Sequence, residues 1–246
     1  MSEDPMQAAR RLTAPPKQKR FYTSARMEPE EGGRTLPLDG RRAMTPGRRP
    51  LTVPRHLAEA VAAEWEAQVE FIVPAAVPVT RLANTAIDGV AERRAEVRAE
   101  VTAYAGTDVL CYRAGEPAGL AERQRAAWDP ILAWAERRYG VRFVLAEGIV
   151  HAPQPELTLA ALAKAVDRFD EPFALAGLHV ATTLTGSALV ALGLAEGELD
   201  VDAAWAAAHV DEDWNISQWG EDEEAAARRA QRFGDFRAAA LALSPS

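Results

Sequence analysis

Between Glu196 and Glu224 the chain carries eleven acidic residues and no lysine or arginine, yet also Trp205, Trp214 and Trp219. Two kinds of chemistry could use the centre of this stretch. Clustered carboxylates bind divalent cations or act as paired general acids and bases, and Asp211, Glu212 and Asp213 are the residues for that work. They lack the alternating ligand order and central glycine of a calcium loop, so the metal signal is weak. The second kind is recognition. Indoles set among Asn215, Gln218 and carboxylates have the composition of a binding hot spot with a charged rim. On that reading Asp211, Glu212, Asp213, Trp214, Gln218, Trp219, Glu221 and Asp222 form a partner-binding surface. Structural roles compete for the same residues. Glu221 to Glu224 fall in the first turn of a helix whose later turns carry Arg228, Arg229 and Arg232, as the macrodipole favours. Core burial is the alternative for each tryptophan.

Other catalytic patterns are weaker. Ser187 in Gly186-Ser187-Ala188 follows His179 by two helical turns, and the pair could face one cleft as nucleophile and base. The strand-turn-helix elbow with Gly-x-Ser-x-Gly is missing, and in an apolar helical stretch hydroxyls bond the carbonyl one turn back. His56, His151, His179 and His209 are scattered without zinc spacing, and no glycine run leads into Gly-Lys-Ser or Gly-Lys-Thr. The expectation is a protein without catalysis and without a cofactor. A hydrolase using Asp211–Asp213 with a metal, or Ser187 with His179, is the competing reading.

The 246 residues suffice for one large domain or for a medium and a small one, and a 48% hydrophobic, 26% charged composition is that of a globular chain. Residues 1 to 55 hold twelve basic and six acidic residues, a net of +6, which leaves −14 of the total −8 for the rest. Such a field repels phosphates, so no nucleic acid partner is expected. Cys111 is alone, which excludes an internal disulfide and reads as a buried small hydrophobe in a reducing compartment. The first twenty residues show no apolar run, so the expected location is the cytoplasm. Pro172 to Ala195 is uncharged over twenty-four positions, but it contains His179, several threonines and three glycines and has no basic flank. It reads as a buried central helix, without stable membrane insertion.

These residues must be positioned by an α+β fold: a flexible arm over 1–18, a small β-rich N-terminal domain over 19–55, and a larger, mainly α-helical C-terminal domain over 56–246. Asp39-Gly40 between short apolar pieces signals a hairpin. Leu57, Val61, Trp65 and Val69 predict a helix to about Phe71, followed by an extended connection at Pro74 and Pro78. A long helix from Thr80 ends at Gly106, and Asp129-Pro130 predicts an N-cap and first position of a further helix to Tyr139. Val109–Arg113 reads as strand or helical turn, Val141–Val150 as a hairpin, and Asp211–Asp213 as loop.

Several segments, in order, resemble one family: Lys19-Arg20-Phe21-Tyr22, Leu38-Asp39-Gly40-Arg41 with Thr45-Pro46, Glu64-Trp65, Thr80-Arg81-Leu82-Ala83-Asn84-Thr85-Ala86, Tyr104-Ala105-Gly106-Thr107-Asp108, Trp128-Asp129-Pro130, and Asp211 to Asp222. Together they resemble the Atp-twelve family of assembly chaperones for the catalytic head of the F-type ATP synthase, over about residues 19 to 235. The resemblance implies a small β domain followed by a helical one, and a chaperone that holds the free α subunit and shields its β-subunit interface until assembly. It also implies that acidic residues of the C-terminal domain carry the function, the matching positions being Glu212, Glu221 and Asp222. Residues 1 to 18 match nothing and lack an Arg-rich, acid-poor transit peptide, which points to a bacterial cytoplasmic member, expected to be monomeric when free.

Overall fold

A computed structural model describes residues 18–148 and 151–244. The expected arm therefore lies outside the described residues, apart from Gln18. Short antiparallel strands come first: β1 (Glu28–Glu30), β2 (Gly33–Thr35) and β5 (Thr52–Val53) form one sheet in the order β1-β2-β5, while β3 (Pro37–Leu38) and β4 (Arg41–Arg42) form a hairpin. Asp39 and Gly40 have φ of 48° and 78° between β3 and β4, the two positive values that a tight two-residue hairpin needs. Asp39 also accepts bonds from the Thr23 amide and hydroxyl, and these hold its carboxyl below the usual range.

The helices that follow are α1 (Arg55–Glu66), α2 (Pro78–Thr85), α3 (Arg94–Ala105), α4 (Ala118–Tyr139), α5 (Glu156–Val166), α6 (Pro172–Thr185), α7 (Ala188–Ala195), α8 (Val201–Ala208), α9 (Val210–Trp219) and α10 (Glu223–Leu243). A two-stranded parallel pair, β6 (Tyr112–Arg113) with β7 (Ala146–Glu147), bridges the ends of α4. Leu36 and Leu51, which flank the strands, and Val53 of β5 share one hydrophobic cluster with Leu57, Leu82, Trp128, Leu162, Leu178, Leu189, Trp205 and Phe236 of the helices.

Family-like motifs near the N-terminus turn out to be joints. The Arg20 guanidinium donates to the carbonyls of Tyr22, Thr23 and Glu66, and the Tyr22 hydroxyl donates to the Trp65 carbonyl at 2.6 Å. Glu64 accepts from the amides of Val79 and Thr80 and from the Thr80 hydroxyl, so it serves the free N–H groups opening α2 that Pro78 leaves uncapped.

Several boundaries differ from the sequence expectation. Helix α1 stops at Glu66, and Val69 is 84% exposed, because the next residues turn back to pair with the N-terminal segment: Arg20 donates to the Glu70 carbonyl and Ile72 to the Gln18 carbonyl. Between Pro74 and Pro78 the chain forms a short 3-10 turn, Pro74–Ala76, instead of running extended. The long helix from Thr80 to Gly106 is divided by a π turn at Ala86–Val90, closed by Ala91 donating to the Ala86 carbonyl. Within it Asp88 accepts from the Thr45 hydroxyl at 2.6 Å and the Gly47 amide at 2.8 Å, and Arg49 donates to the Ile87 carbonyl. The bulge thus anchors the 45–49 loop. Val109–Arg113 is both things at once, a 3-10 turn over Val109–Cys111 running into β6. Residues 141–148 form no hairpin, since β7 pairs with β6; Ile149 and Val150 lie outside the described residues.

Helix α4 runs through Pro130 without stopping. The proline ring and Ala126, whose carbonyl loses its partner, are both solvent-exposed, so water can satisfy that carbonyl. Asp129 pairs with Arg113 at 2.8 Å and caps nothing. The uncharged stretch forms two helices, α6 and α7, not one: Gly186 adopts φ +66°, and the Ser187 hydroxyl oxygen accepts from the Val190 amide at 3.0 Å as the N-cap of α7. Among the described residues no helix is long and apolar enough to cross a membrane.

Helix α6 is the central element, packed against α10, α7 and α3. A Cβ at Gly177 would sit 2.8 Å from the Ala239 carbonyl oxygen and 3.1 Å from the Ala242 Cβ, so the α6–α10 crossing depends on the missing side chain. Gly177→Val is expected to force these helices apart at a cost of about 2–3 kcal/mol, read as a lower melting temperature at unchanged helix content.

Candidate interaction surface

Helices α8, α9 and α10 position the acidic, tryptophan-bearing stretch. Asp200 caps α8 by accepting from the Ala203 amide at 2.8 Å. His209 joins α8 to α9: its ring lies 3.8 Å from that of Trp205, its Nδ1 is 2.8 Å from the Trp205 carbonyl, and its Nε2 is 3.1 Å from the Arg232 guanidinium. Nδ1 therefore carries the proton and Nε2 accepts. Burial is the main reason the His209 pKa lies below its ordinary value, and Arg232 lowers it further. Helix α9 ends at Gly220, whose φ of 85° and ψ of 171° turn the chain through a corner that a side chain would strain. Asp222 then caps α10, accepting from the Ala225 amide at 2.8 Å.

The stretch expected to be loop is thus helix up to Trp219, and the structure sorts the eight expected site residues. Three are committed to the fold. Asp211 accepts from Gln124 of α4 at 2.8 Å, and Gln124 is buried. Asp213 is ion-paired with Arg229 of α10 at 2.5 Å. Trp214 is half-buried against α4, where a Cβ on Gly119 would come within 2.8 Å of its ring and the Arg123 guanidinium stacks 4.9 Å from its centroid. Glu212 is intermediate in exposure, 3.9 Å from His209. The remaining four face solvent: Gln218, Glu221, Asp222 and Trp219, the last 87% exposed. Trp205 is a core residue, packed on Phe233 and Phe236.

Between α9 and α10 opens a cleft of about 400 Å³. Its apolar lining is Trp219, Ile216, Ala225 and Ala226, and its charged lining is Glu212, Glu221, Asp222 and Arg229, the last paired with Asp213. Sequence reasoning missed Ile216, Ala225 and Ala226, which enter the cleft only because the corner at Gly220 folds α10 back on α9. It also missed that Arg229 answers Asp213, although the distribution of charge along α10 placed Arg229 on the right helix.

The competing catalytic readings do not assemble. Ser187 is fully buried and bonded to Val190, while His179 Nε2 contacts Glu100 at 3.0 Å on another helix. Among the described residues no group of three or more His, Cys, Asp or Glu could hold a metal ion. Burial and the neighbouring Asp108 push the Cys111 thiol up to about 12, so it stays protonated and unreactive at neutral pH.

Asp222 has two separable roles, cap and exposed carboxylate. Asp222→Ala is expected to lower stability by about 1 kcal/mol and Asp222→Ser by far less, since serine also caps. Thermal unfolding of the two variants checks this.

Solved structures share this architecture. A chaperone candidate from Agrobacterium tumefaciens is 48% identical, with a TM-score of 0.87 over 98% of this chain and 91% of that one. Atp12 from Paracoccus denitrificans is 38% identical, with a TM-score of 0.82 over 92% of this chain and 97% of that one, and a point mutant of it matches equally well. A family model described as ATP12 chaperone protein matches residues 19–136. This chain belongs to the ATP12 chaperone family.

Proposed function

We propose that this chain is an assembly chaperone of the F-type ATP synthase that binds the free α subunit in the bacterial cytoplasm and shields its β-subunit interface until assembly. The observation that carries the reading is the cleft between α9 and α10, where a tryptophan 87% exposed shares the lining with three carboxylates. An indole left in water by an otherwise well-packed helical body is more useful to a partner than to the fold. A free subunit exposes apolar interface that associates wrongly, and a chaperone covering it must also let go. A small apolar centre with a charged rim suits this, because the rim steers encounter more than it tightens the complex. In this account Trp219, Gln218, Glu221 and Asp222 touch the client. Asp211, Asp213, Trp214 and Glu212 hold α9 in place beneath them. The β-rich part over 19–55 and the helical part over 56–246 act as one scaffold, and the free protein is monomeric. No cofactor, metal or nucleic acid takes part, and no bond is made or broken. Co-expression with the α subunit tests the reading. A stable complex with α is the expected result, and recovery of the chaperone alone would overturn it.

A further inference from the structure

The client surface uses one end of α4, where Gly119, Arg123 and Gln124 hold α9. The other end has the opposite charge. At a helical rise of 1.5 Å per residue, Arg138 lies roughly 22 Å along the axis from Arg123. There Leu157, in the first turn of α5, stands 83% exposed. It is shared by two grooves of about 730 and 430 Å³, which also have Tyr139 and Ala161 in common. The walls carry five cationic side chains, Arg137, Arg138, Arg142, Lys164 and Arg168, against one carboxylate, Glu136.

Part of this charge is already answered. Arg142 pairs with Glu136 at 2.6 Å, and Arg138 and Arg168 both pair with Glu196, which also accepts from the Tyr139 hydroxyl. Among the described residues Arg137 and Lys164 form no ion pair, and both are exposed. Exposed Val144 and Leu145 lie alongside: Val144 is tied to Gln154, three residues before Leu157, by bonds of 2.9 and 2.8 Å. One exposed leucine is ordinary surface. A leucine between two grooves whose walls are basic, in a chain that carries −14 beyond residue 55, is a localised exception to the molecule's charge.

We propose that the groove between the C-terminal end of α4 and α5 docks an acidic protein segment bearing an apolar side chain. The carboxylates of that segment meet Arg137 and Lys164, the two uncommitted cations, and its apolar residue lies against Leu157 and Ala161. Charge complementarity selects the partner's sign, and concavity on both sides of Leu157 selects a peptide chain over a flat lipid surface, which is better met by an apolar face than by one leucine. The molecule is then bipolar along α4, with an acidic end for one partner and a basic end for another. The site stands apart from the α9–α10 cleft and does not depend on the client assigned there.

Fluorescence anisotropy at low ionic strength tests this with the full chain and a labelled synthetic peptide of glutamates with leucine at every fourth position. Saturable binding is expected, weakened about tenfold by the double variant Arg137→Glu/Lys164→Glu and comparably by Leu157→Asp. Arg228→Glu on α10, a charge reversal away from the groove, is expected to leave it unchanged, and circular dichroism checks that each variant is folded. Four results would each overturn the proposal: no saturable binding, equal affinity in the groove variants, equal affinity for an all-glutamate peptide, or preference for phosphatidylglycerol vesicles over the peptide.

Discussion

Trp219→Ala is expected to weaken capture of the free α subunit by about 30-fold, which corresponds to roughly 2 kcal/mol, the loss seen when a central aromatic anchor is truncated. The melting temperature should stay within about 1 °C of the parent, because a side chain 87% exposed contributes little to the folded state. Trp214→Ala should behave in the opposite way. That indole fills the space over Gly119 and stacks on Arg123, so its removal should lower stability first and capture only through displacement of α9. The two tryptophans lie five residues apart on one helix, and only the structure separates their roles. Titration of the α subunit into each variant, beside thermal melts, distinguishes anchor from support. If Trp219→Ala binds normally, the cleft is not the client site.

At pH 4 Asp108 is the residue whose loss should cost the fold most. It is almost completely buried at the junction of β6 and α7, where it accepts from the Leu110 amide at 3.1 Å and the Leu189 amide at 3.0 Å. Burial lifts its carboxyl to about 6, against hydrogen bonds from Leu189, Ser187, Leu110 and Ala188 that favour the charged form. The folded pKa is therefore above the unfolded one, near 3.9. Asp108 contributes most below the unfolded pKa, and that contribution is lost as pH rises through about 6. Asp108→Ala leaves two buried amides without an acceptor and is expected to cost about 4 kcal/mol at pH 4. The cost at pH 7 should be smaller by about 2 kcal/mol, the part of a shift of roughly two units that remains once the unfolded carboxyl is half ionised at pH 4. Chemical denaturation of both proteins at the two pH values checks the sign. A cost that grew with pH would contradict the buried-carboxyl account.

Much of the fold was legible because local signals agreed with tertiary demands. Asp39-Gly40 specified its hairpin, Gly106 ended α3, and Leu57, Val61 and Trp65 marked the buried face of α1. The failures share a cause, a local signal overruled by distant contacts. Pro130 looks like a helix start, but its side of α4 faces water, where a lost hydrogen bond is tolerable. Val69 continues the α1 period, but the backbone there pairs with Gln18 and Arg20. The π turn at Ala86–Val90 has no local signature at all, since its reason is the 45–49 loop bonded to Asp88 and Ile87. The acidic stretch read as loop because Asp, Asn, Ser and Gly dominate it, and its apolar contacts, Val210 and Trp214, are too few to set a period. Those two stand at i and i+4 with a glycine stop at Gly220, which is the signal that could have revealed the helix.

The site was legible in composition and not in geometry. Acid and indole together marked the segment, but Asp211, Asp213 and Trp214 could be assigned to support only once Gln124, Arg229 and Gly119 were brought beside them from sequence-distant helices.

Client and surface are tested most directly by titrating purified α and β subunits separately into the full chain, with Glu221→Lys/Asp222→Lys, which also loses the α10 cap and is checked for folding by circular dichroism, as the comparison. Saturable binding of α alone, weakened about tenfold or more by the double reversal, is the predicted result. Binding of β alone, of neither subunit, or of α with undiminished affinity in the reversed variant would contradict it.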